Sequence, residues 1–315
     1  MMKEFYPEEI KTKEESKIYY TTENIVGATK TGEILRAVVT LCDASHNLTV
    51  DLGSMKGVIA REDALLSADG NIRDIAIISR VGKTVCFTVE DIIYDLSGIP
   101  VARLSRKKAQ EKFINEFLSS KSVGDILRAR VTHLDSFGVF CDIGCGVIAL
   151  LPIDFISVSR IAHPKDRFCV GEDLKVVLKG ISKDGRITVS HKELLGTWEE
   201  NAEGFMAGQT VTGIVRSVEE YGVFVELAPN LAGLAEPYET RVGDTVSVYI
   251  KSIIPEKMKV KLIIIDSFKG DFVPKTKYFY NKEHIDVFNY SPLNSSKKIY
   301  TEFICGRFNV LSFVF

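Results

Sequence analysis

The stretch Gly124-Asp125-Ile126-Leu127-Arg128-Ala129-Arg130-Val131-Thr132, followed by Ser136-Phe137-Gly138-Val139-Phe140-Cys141-Asp142-Ile143-Gly144, decides how this chain is read. Apolar and polar residues alternate through both halves, and glycines mark where each half begins and ends. Beyond a loop come Val170-Gly171-Glu172-Asp173-Leu174-Lys175-Val176-Val177-Leu178 and Asp184-Gly185-Arg186-Ile187-Thr188-Val189-Ser190, which alternate in the same way. The unit spans 123–191.

Working outward, the same unit recurs on both sides. Upstream, Gly32-Glu33-Ile34-Leu35-Arg36-Ala37-Val38-Val39-Thr40 matches the 124–132 stretch almost residue for residue. Leu48-Thr49-Val50-Asp51-Leu52-Gly53 and Val81-Gly82-Lys83-Thr84-Val85-Cys86 follow in order, so repeat one spans 31–105. Downstream, Gly208-Gln209-Thr210-Val211-Thr212-Gly213-Ile214-Val215, Glu220-Tyr221-Gly222-Val223-Phe224 and Val242-Gly243-Asp244-Thr245-Val246 define repeat three, 207–265. The spacing from Gly208 to Gly243 is shorter than from Gly124 to Gly171, so repeat three has lost most of the loop before its fourth strand. Self-similarity of this length is the signature of tandem units. About five short strands within about 70 residues, with a variable loop before the fourth, is the pattern of a five-stranded Greek-key barrel, the OB-fold. The expected fold is mainly β: three tandem OB barrels joined by short helical linkers.

Four segments lie outside the repeats. Residues 1–30 form an arm, with a helix expected from Pro7-Glu8-Glu9 to Tyr20, either packed on the first barrel or offered to a partner. Residues 106–122 read as a linker helix with Phe113, Ile114, Phe117 and Leu118 on one face. Its leading Arg106-Lys107-Lys108 is either a solvated helix end or part of a phosphate-facing surface. Residues 192–206 form a second linker holding the one tryptophan, Trp198, either a packing anchor between barrels or a stacking platform. Residues 266–315 are aromatic and basic, with Tyr278, Tyr280 and Tyr290 beside Lys275, Lys277, Lys297 and Lys298. This tail either packs on the last barrel or binds nucleic acid. It ends on the apolar Asn309-Val310-Leu311-Ser312-Phe313-Val314-Phe315.

The formal net charge is −2, so a polyanion-binding surface must come from local placement of Lys and Arg. Cys42, Cys86, Cys141, Cys145, Cys169 and Cys305 include no Cys-x-x-Cys pair. They read as small buried hydrophobes in a reducing compartment, against a zinc or disulfide framework. The N-terminus lacks the apolar core of a signal peptide, and no apolar run approaches the ~20 residues of a membrane-spanning helix. A cytoplasmic protein without membrane contact is expected.

The second strand points to the chemistry. Strict alternation separates Phe137 from Phe140, but Gly138 permits a bulge or a strong local twist that turns both rings to one outer patch. Two exposed rings form a platform for nucleobases, worth ~1–3 kcal/mol per stacked base. Arg186, at the start of the fifth strand, adds charge or a stacking guanidinium beside them. The competing reading buries one or both rings in the core.

At this point the residues resemble a family. Aromatic-Gly-Val-Phe, then Val-Gly-acid, then Gly-Arg-Ile-x-Val-Ser is similar to the S-one RNA-binding motif, named for the largest protein of the bacterial small ribosomal subunit. Repeat two matches best, including its loop from Ser159 to Phe168. The resemblance implies an RNA face of two aromatics on strand two, a His after strand three, and an Asp and a basic residue bracketing the turn into strand five. The aromatics correspond to Phe137 and Phe140 in repeat two, and to Tyr221 and Phe224 in repeat three. The basic residue corresponds to Arg186 and Lys259. Pro152 and Glu236 stand at the His positions, and Ser182 and Pro255 at the Asp positions. Repeat one has His46 and Thr49 at the aromatic positions, Ala60 at the His position and Val101 at the basic one, so its face is lost.

The resemblance implies a non-catalytic binder of single-stranded RNA, messenger RNA above all, acting in translation. Repeat one and the arm would dock on the small ribosomal subunit. Arg160, Lys165, Arg167, Lys179, Lys257 and Lys259 are the candidate phosphate contacts. The alternative is a protein-interaction scaffold whose barrels have weak or lost RNA binding, a reading supported by Glu219, Glu220 and Glu236 beside the third face. No nucleophile–base set, metal-ligand spacing or phosphate-cradling loop is present, so neither an enzyme nor a cofactor is expected.

Overall fold

A computed structural model describes residues 5–8, 19–67, 72–270, 272 and 276–303. The three expected barrels are present, each closed and five-stranded. Barrel one consists of β1 (Ile34–Cys42), β2 (Leu48–Asp51), β3 (Lys56–Ile59), β4 (Thr84–Tyr94) and β5 (Pro100–Ser105). Barrel two consists of β6 (Ile126–Asp135), β7 (Gly138–Asp142), β8 (Ile148–Pro152), β9 (Asp173–Ile181) and β10 (Ile187–Ser190). Barrel three consists of β11 (Thr210–Glu219), β12 (Gly222–Ala228), β13 (Leu231–Ala235), β14 (Thr245–Ile254) and β15 (Lys259–Phe268).

Alternation is what makes these strands barrel walls. In β15, Val260, Leu262 and Ile264 point inward while Lys259, Lys261 and Ile263 point outward. Each barrel closes through one parallel pair, its third strand against its fifth: Val58 faces Arg103, Leu150 faces Thr188 and Leu234 faces Lys261. A register shift recurs at one place in each first strand, at Val39/Leu41, Val131/His133 and Val215/Ser217. Such bulges bend a strand and increase its local twist, which helps a short sheet close.

The linkers pack as structural parts. Helix α1 (Thr22–Thr31) is capped by the Thr21 side chain and buries Ile25 and Ala28 in barrel one. It begins within the stretch read as an arm, just after the span in which a helix was expected. Residues 9–18 of the helix expected from Pro7 to Tyr20 lie outside the described residues. Helix α2 (Asp74–Ile78) sits in the loop before β4. Helix α3 (Arg106–Glu116) starts on a Ser105 cap and inserts Ala109, Phe113 and Ile114 into the core of barrel two. Arg106 is not a solvated helix end. Its guanidinium is buried and bidentate to Glu8, at 2.6 and 2.8 Å.

Trp198 opens α4 (Trp198–Ala202) and is buried in the core that joins barrel three to Val177 of barrel two. It is a packing anchor. The tail packs too. Ile285, Phe288, Tyr290 and Phe303 enter that core, around a short hairpin of β16 (Val287–Asn289) and β17 (Tyr300–Glu302). The Ile126 N–H donates to the Glu283 carbonyl, and the Ile285 N–H to the Gly124 carbonyl. Gly124 has φ +98°, and a Cβ there would meet the Ile285 oxygen at 2.2 Å, so the tail rests on bare backbone. Lys275, Cys305 and residues 309–315 lie outside the described residues. Among the described residues, Cys42, Cys86, Cys141, Cys145 and Cys169 are free thiols, no group of three or more potential ligands could hold a metal, and no helix is long and apolar enough to cross a membrane.

Candidate nucleic-acid interface

In barrel two the outer face is built on the β6–β7 hairpin. Phe137 is not on a strand but in the two-residue turn, 51% exposed, with its carbonyl accepting from the Ile153 N–H at 2.9 Å. Phe140 is on β7 and half-buried. The ring centroids are 5.8 Å apart and the planes meet at 89°, the edge-to-face geometry aromatic quadrupoles favour. Both rings therefore meet on one side, but not by the bulge expected at Gly138. The turn frees Phe137 from strand alternation, and the bulge is on the opposite strand, at Val131/His133. Gly138 has another role. A Cβ there would lie 2.5 Å from the Leu151 oxygen, so the glycine lets β7 and β8 approach closely.

Arg186 is 85% exposed and pairs with Asp184 at 2.9 Å. The Ser182 hydroxyl bonded to Asp184, with the nearby Arg186 charge, holds that carboxyl below the usual range. Ser182 stands where the resemblance places an acid, yet Asp184 supplies a carboxylate to the same turn. The sequence reading passed over it because it is two positions further along.

Barrel three repeats the arrangement. Tyr221 is 66% exposed, Phe224 is half-buried, and their rings are 6.2 Å apart at 90°. They border a groove of about 610 Å³ with Leu234, Glu236, Lys251 and Lys259. Glu236, at the missing His position, pairs with Lys251 at 3.2 Å. Lys261 also lines this groove and was missed by sequence reasoning. Its signal was the Lys-Val-Lys alternation on β15, which sends both lysines outward.

The loop cations divide. Arg160 and Lys165 are exposed. Arg167 is not available to a phosphate: its side chain is fully buried, 2.6 Å from the equally buried Glu226 on β12. Burial lowers the guanidinium's proton affinity despite the adjoining carboxylate. Arg216 also pairs with Glu226, so one carboxylate joins the barrel-two loop to barrel three. The physical reason is Glu226 itself. A carboxylate buried between barrels needs a counter-charge, and the loop supplies it. Asn230 completes the junction. Its Oδ1 accepts from the Val158 N–H at 2.9 Å, and its Nδ2 donates to the Lys192 and Gly196 carbonyls. Lys179 is held over the rings of Phe155 and Phe303, while Lys257 is exposed beside barrel three.

Repeat one presents no platform. His46, at φ +62°, accepts from Arg61 at 2.9 Å, and Arg61 pairs with Asp74 at 2.6 Å. Thr49 stands where barrel two has Phe140.

Parts of the chain are similar in sequence to known proteins. Residues 120–192 match the S1 RNA binding domain family. Small ribosomal subunit protein bS1 of Staphylococcus aureus (strain N315) is 30% identical over 247 residues, covering 74% of this chain and 61% of that protein. The same protein of Staphylococcus epidermidis is 33% identical over 209 residues, covering 64% of this chain and 50% of that one. The chain thus spans between half and about three fifths of these relatives' length. Among solved structures, a multidomain protein with nucleic acid binding domains from Streptococcus pneumoniae aligns over 74% of this chain and 73% of its own, with 17% identity and a TM-score of 0.25. With an S1 RNA binding domain at 120–192 and 30% identity to bS1 across 74% of its length, this three-barrel chain resembles the bacterial ribosomal protein S1 family.

Proposed function

We propose that this protein binds single-stranded RNA without catalysing its chemistry, through the outer faces of barrels two and three. One observation carries the reading. Barrels two and three each present an edge-to-face ring pair at the hairpin of their first two strands, and in barrel three Lys259 and Lys261 line the groove beside it. Stacked bases tolerate any sequence, because every base has a π-face, so binding is broad in sequence and the cations contribute salt dependence. Two faces on one chain raise avidity through effective concentration. Phe137, Phe140, Arg186, Tyr221, Phe224 and Lys259 are the contacts, with Arg160 and Lys165 as peripheral cations. The likeness to ribosomal relatives supports messenger RNA as the target, translation in the cytoplasm as the setting, and the small ribosomal subunit as the dock for repeat one.

Fluorescence anisotropy with a labelled RNA strand, at two salt concentrations, tests the reading. The Phe137→Ala, Tyr221→Ala double variant should bind at least about tenfold more weakly with its melting temperature nearly unchanged. Unchanged affinity with a large loss of stability would show that the rings serve the core. A parent chain that fails to bind at either salt would favour the scaffold reading, which the acidic Glu219, Glu220 and Glu236 support.

A further inference from the structure

The pairing registers define one row of residues across the outer face of each barrel. In barrel two His133 faces Phe140, Phe140 faces Leu150, and Leu150 faces Thr188. In barrel three the row is Ser217, Phe224, Leu234 and Lys261. In barrel one it is Leu41, Thr49, Val58 and Arg103. Directly opposed residues of an antiparallel pair project to the same side of the sheet. The imidazole of His133 therefore stands on the face that carries Phe140.

Its surroundings suit a ligand better than a structural role. The His133 and Phe140 ring centroids are 6.0 Å apart, with planes at 34°. His133 is exposed, and its ring nitrogens have no hydrogen-bond partner among the described residues. The bulge at Val131/His133 sets its position, and the Thr132 hydroxyl, donating to the Phe140 carbonyl at 3.0 Å, holds the two strands together there. Phe137 also adjoins Phe140, with ring centroids 5.8 Å apart. Three flat side chains thus adjoin one another across the hairpin, where barrel three has two rings and a serine.

We infer that His133 is a third stacking residue, which extends the platform of barrel two across β6 and gives that barrel one more nucleobase contact than barrel three. This rests on the proposal that these faces bind RNA. The imidazole acts through its flat face on a base, so a phenyl ring replaces it and an aliphatic side chain does not.

The full chain is titrated by anisotropy with a labelled oligouridylate and with an abasic strand of the same length. Variants His133→Leu and His133→Phe are compared with Phe140→Ala. His133→Leu should weaken oligouridylate binding about fivefold, His133→Phe should stay within about twofold of the parent, and neither should alter binding of the abasic strand. If Phe140→Ala weakens binding and His133→Leu does not, the third contact is refuted and the two-ring platform stands. If Phe140→Ala is also without effect, the RNA-binding reading itself fails. Equal weakening on the abasic strand would show that His133 meets phosphate, and would overturn the stacking role.

Discussion

Barrels one and two share a strand order, a bulge position and nearly the same first strand, yet only barrel two carries a pair of rings at the hairpin of its first two strands. The inward residues hardly differ. Leu35, Ala37 and Val39 fill the first barrel as Leu127, Ala129 and Val131 fill the second. The outward residues differ at every place in the row. Where barrel two has His133 and Phe140, barrel one has Leu41 and Thr49, and where Phe137 stands free, His46 is tied to Arg61. A barrel wall has two sides under separate constraints. Packing holds the inner side, while the outer side can be rewritten at little cost to the fold.

The largest test leaves the faces alone and strikes a buried contact between barrels. Glu226→Ala would leave the buried guanidinium of Arg167 without its carboxylate at the junction of barrels two and three, and Arg216 with only Asp166, 3.8 Å away. Removing one member of a buried ion cluster costs about 3–5 kcal/mol, so chemical denaturation should show a loss of that order. A loss like that of a surface substitution would mean that water reaches the cluster.

The next test concerns the seam between barrels one and two. Burial, with the Glu8 carboxylate, pushes the Asp142 carboxyl up to about 7, against the opposing pull of Arg106. Glu8 in turn faces Arg80, and Cys86 lies close by. The folded chain holds a proton on Asp142 that the unfolded chain releases near pH ~3.9. This contribution to stability is complete below that value and is lost as pH rises through about 7. Thermal melts should fall between about pH 4 and pH 7, and Asp142→Asn should flatten that fall. A variant that keeps the parent's slope would assign the pH dependence elsewhere.

The smallest effect returns to the comparison itself. Thr49→Phe puts one ring back on barrel one. Stability should change by less than about 0.5 kcal/mol, because the position faces outward. Anisotropy should show no gain in RNA affinity, because His46 is occupied by Arg61 and no second ring stands beside it. A clear gain would mean that a single ring is enough.

The barrels were legible in the sequence because alternation and repeated glycines are local signals. Phe137 and Phe140, Tyr221 and Phe224 were legible as an aromatic-Gly-Val-Phe motif, while the turn that frees Phe137 from alternation was not. What escaped depends on distant residues. Arg167 reads as a loop cation until Glu226, far along the chain, is placed beside it. His133 reads as an isolated histidine on a strand until the register sets it opposite Phe140. Lys261 lay in plain alternation and was passed over because only Lys259 matched the family pattern. The Thr21 cap of α1 was hidden within a stretch that has few apolar residues of its own.

The seam at Glu8 bears on how the chain is assembled. Its backbone N–H donates to Asp142 at 2.7 Å across 134 positions, and its carboxylate is held by the arginine that begins α3. During synthesis, residues 5–8 leave the ribosome long before the turn that receives them. Contacts this remote in sequence form late, because the intervening chain must first be ordered. Residues 5–8 are therefore among the last of these elements to settle, and their docking would report that two barrels have already matured.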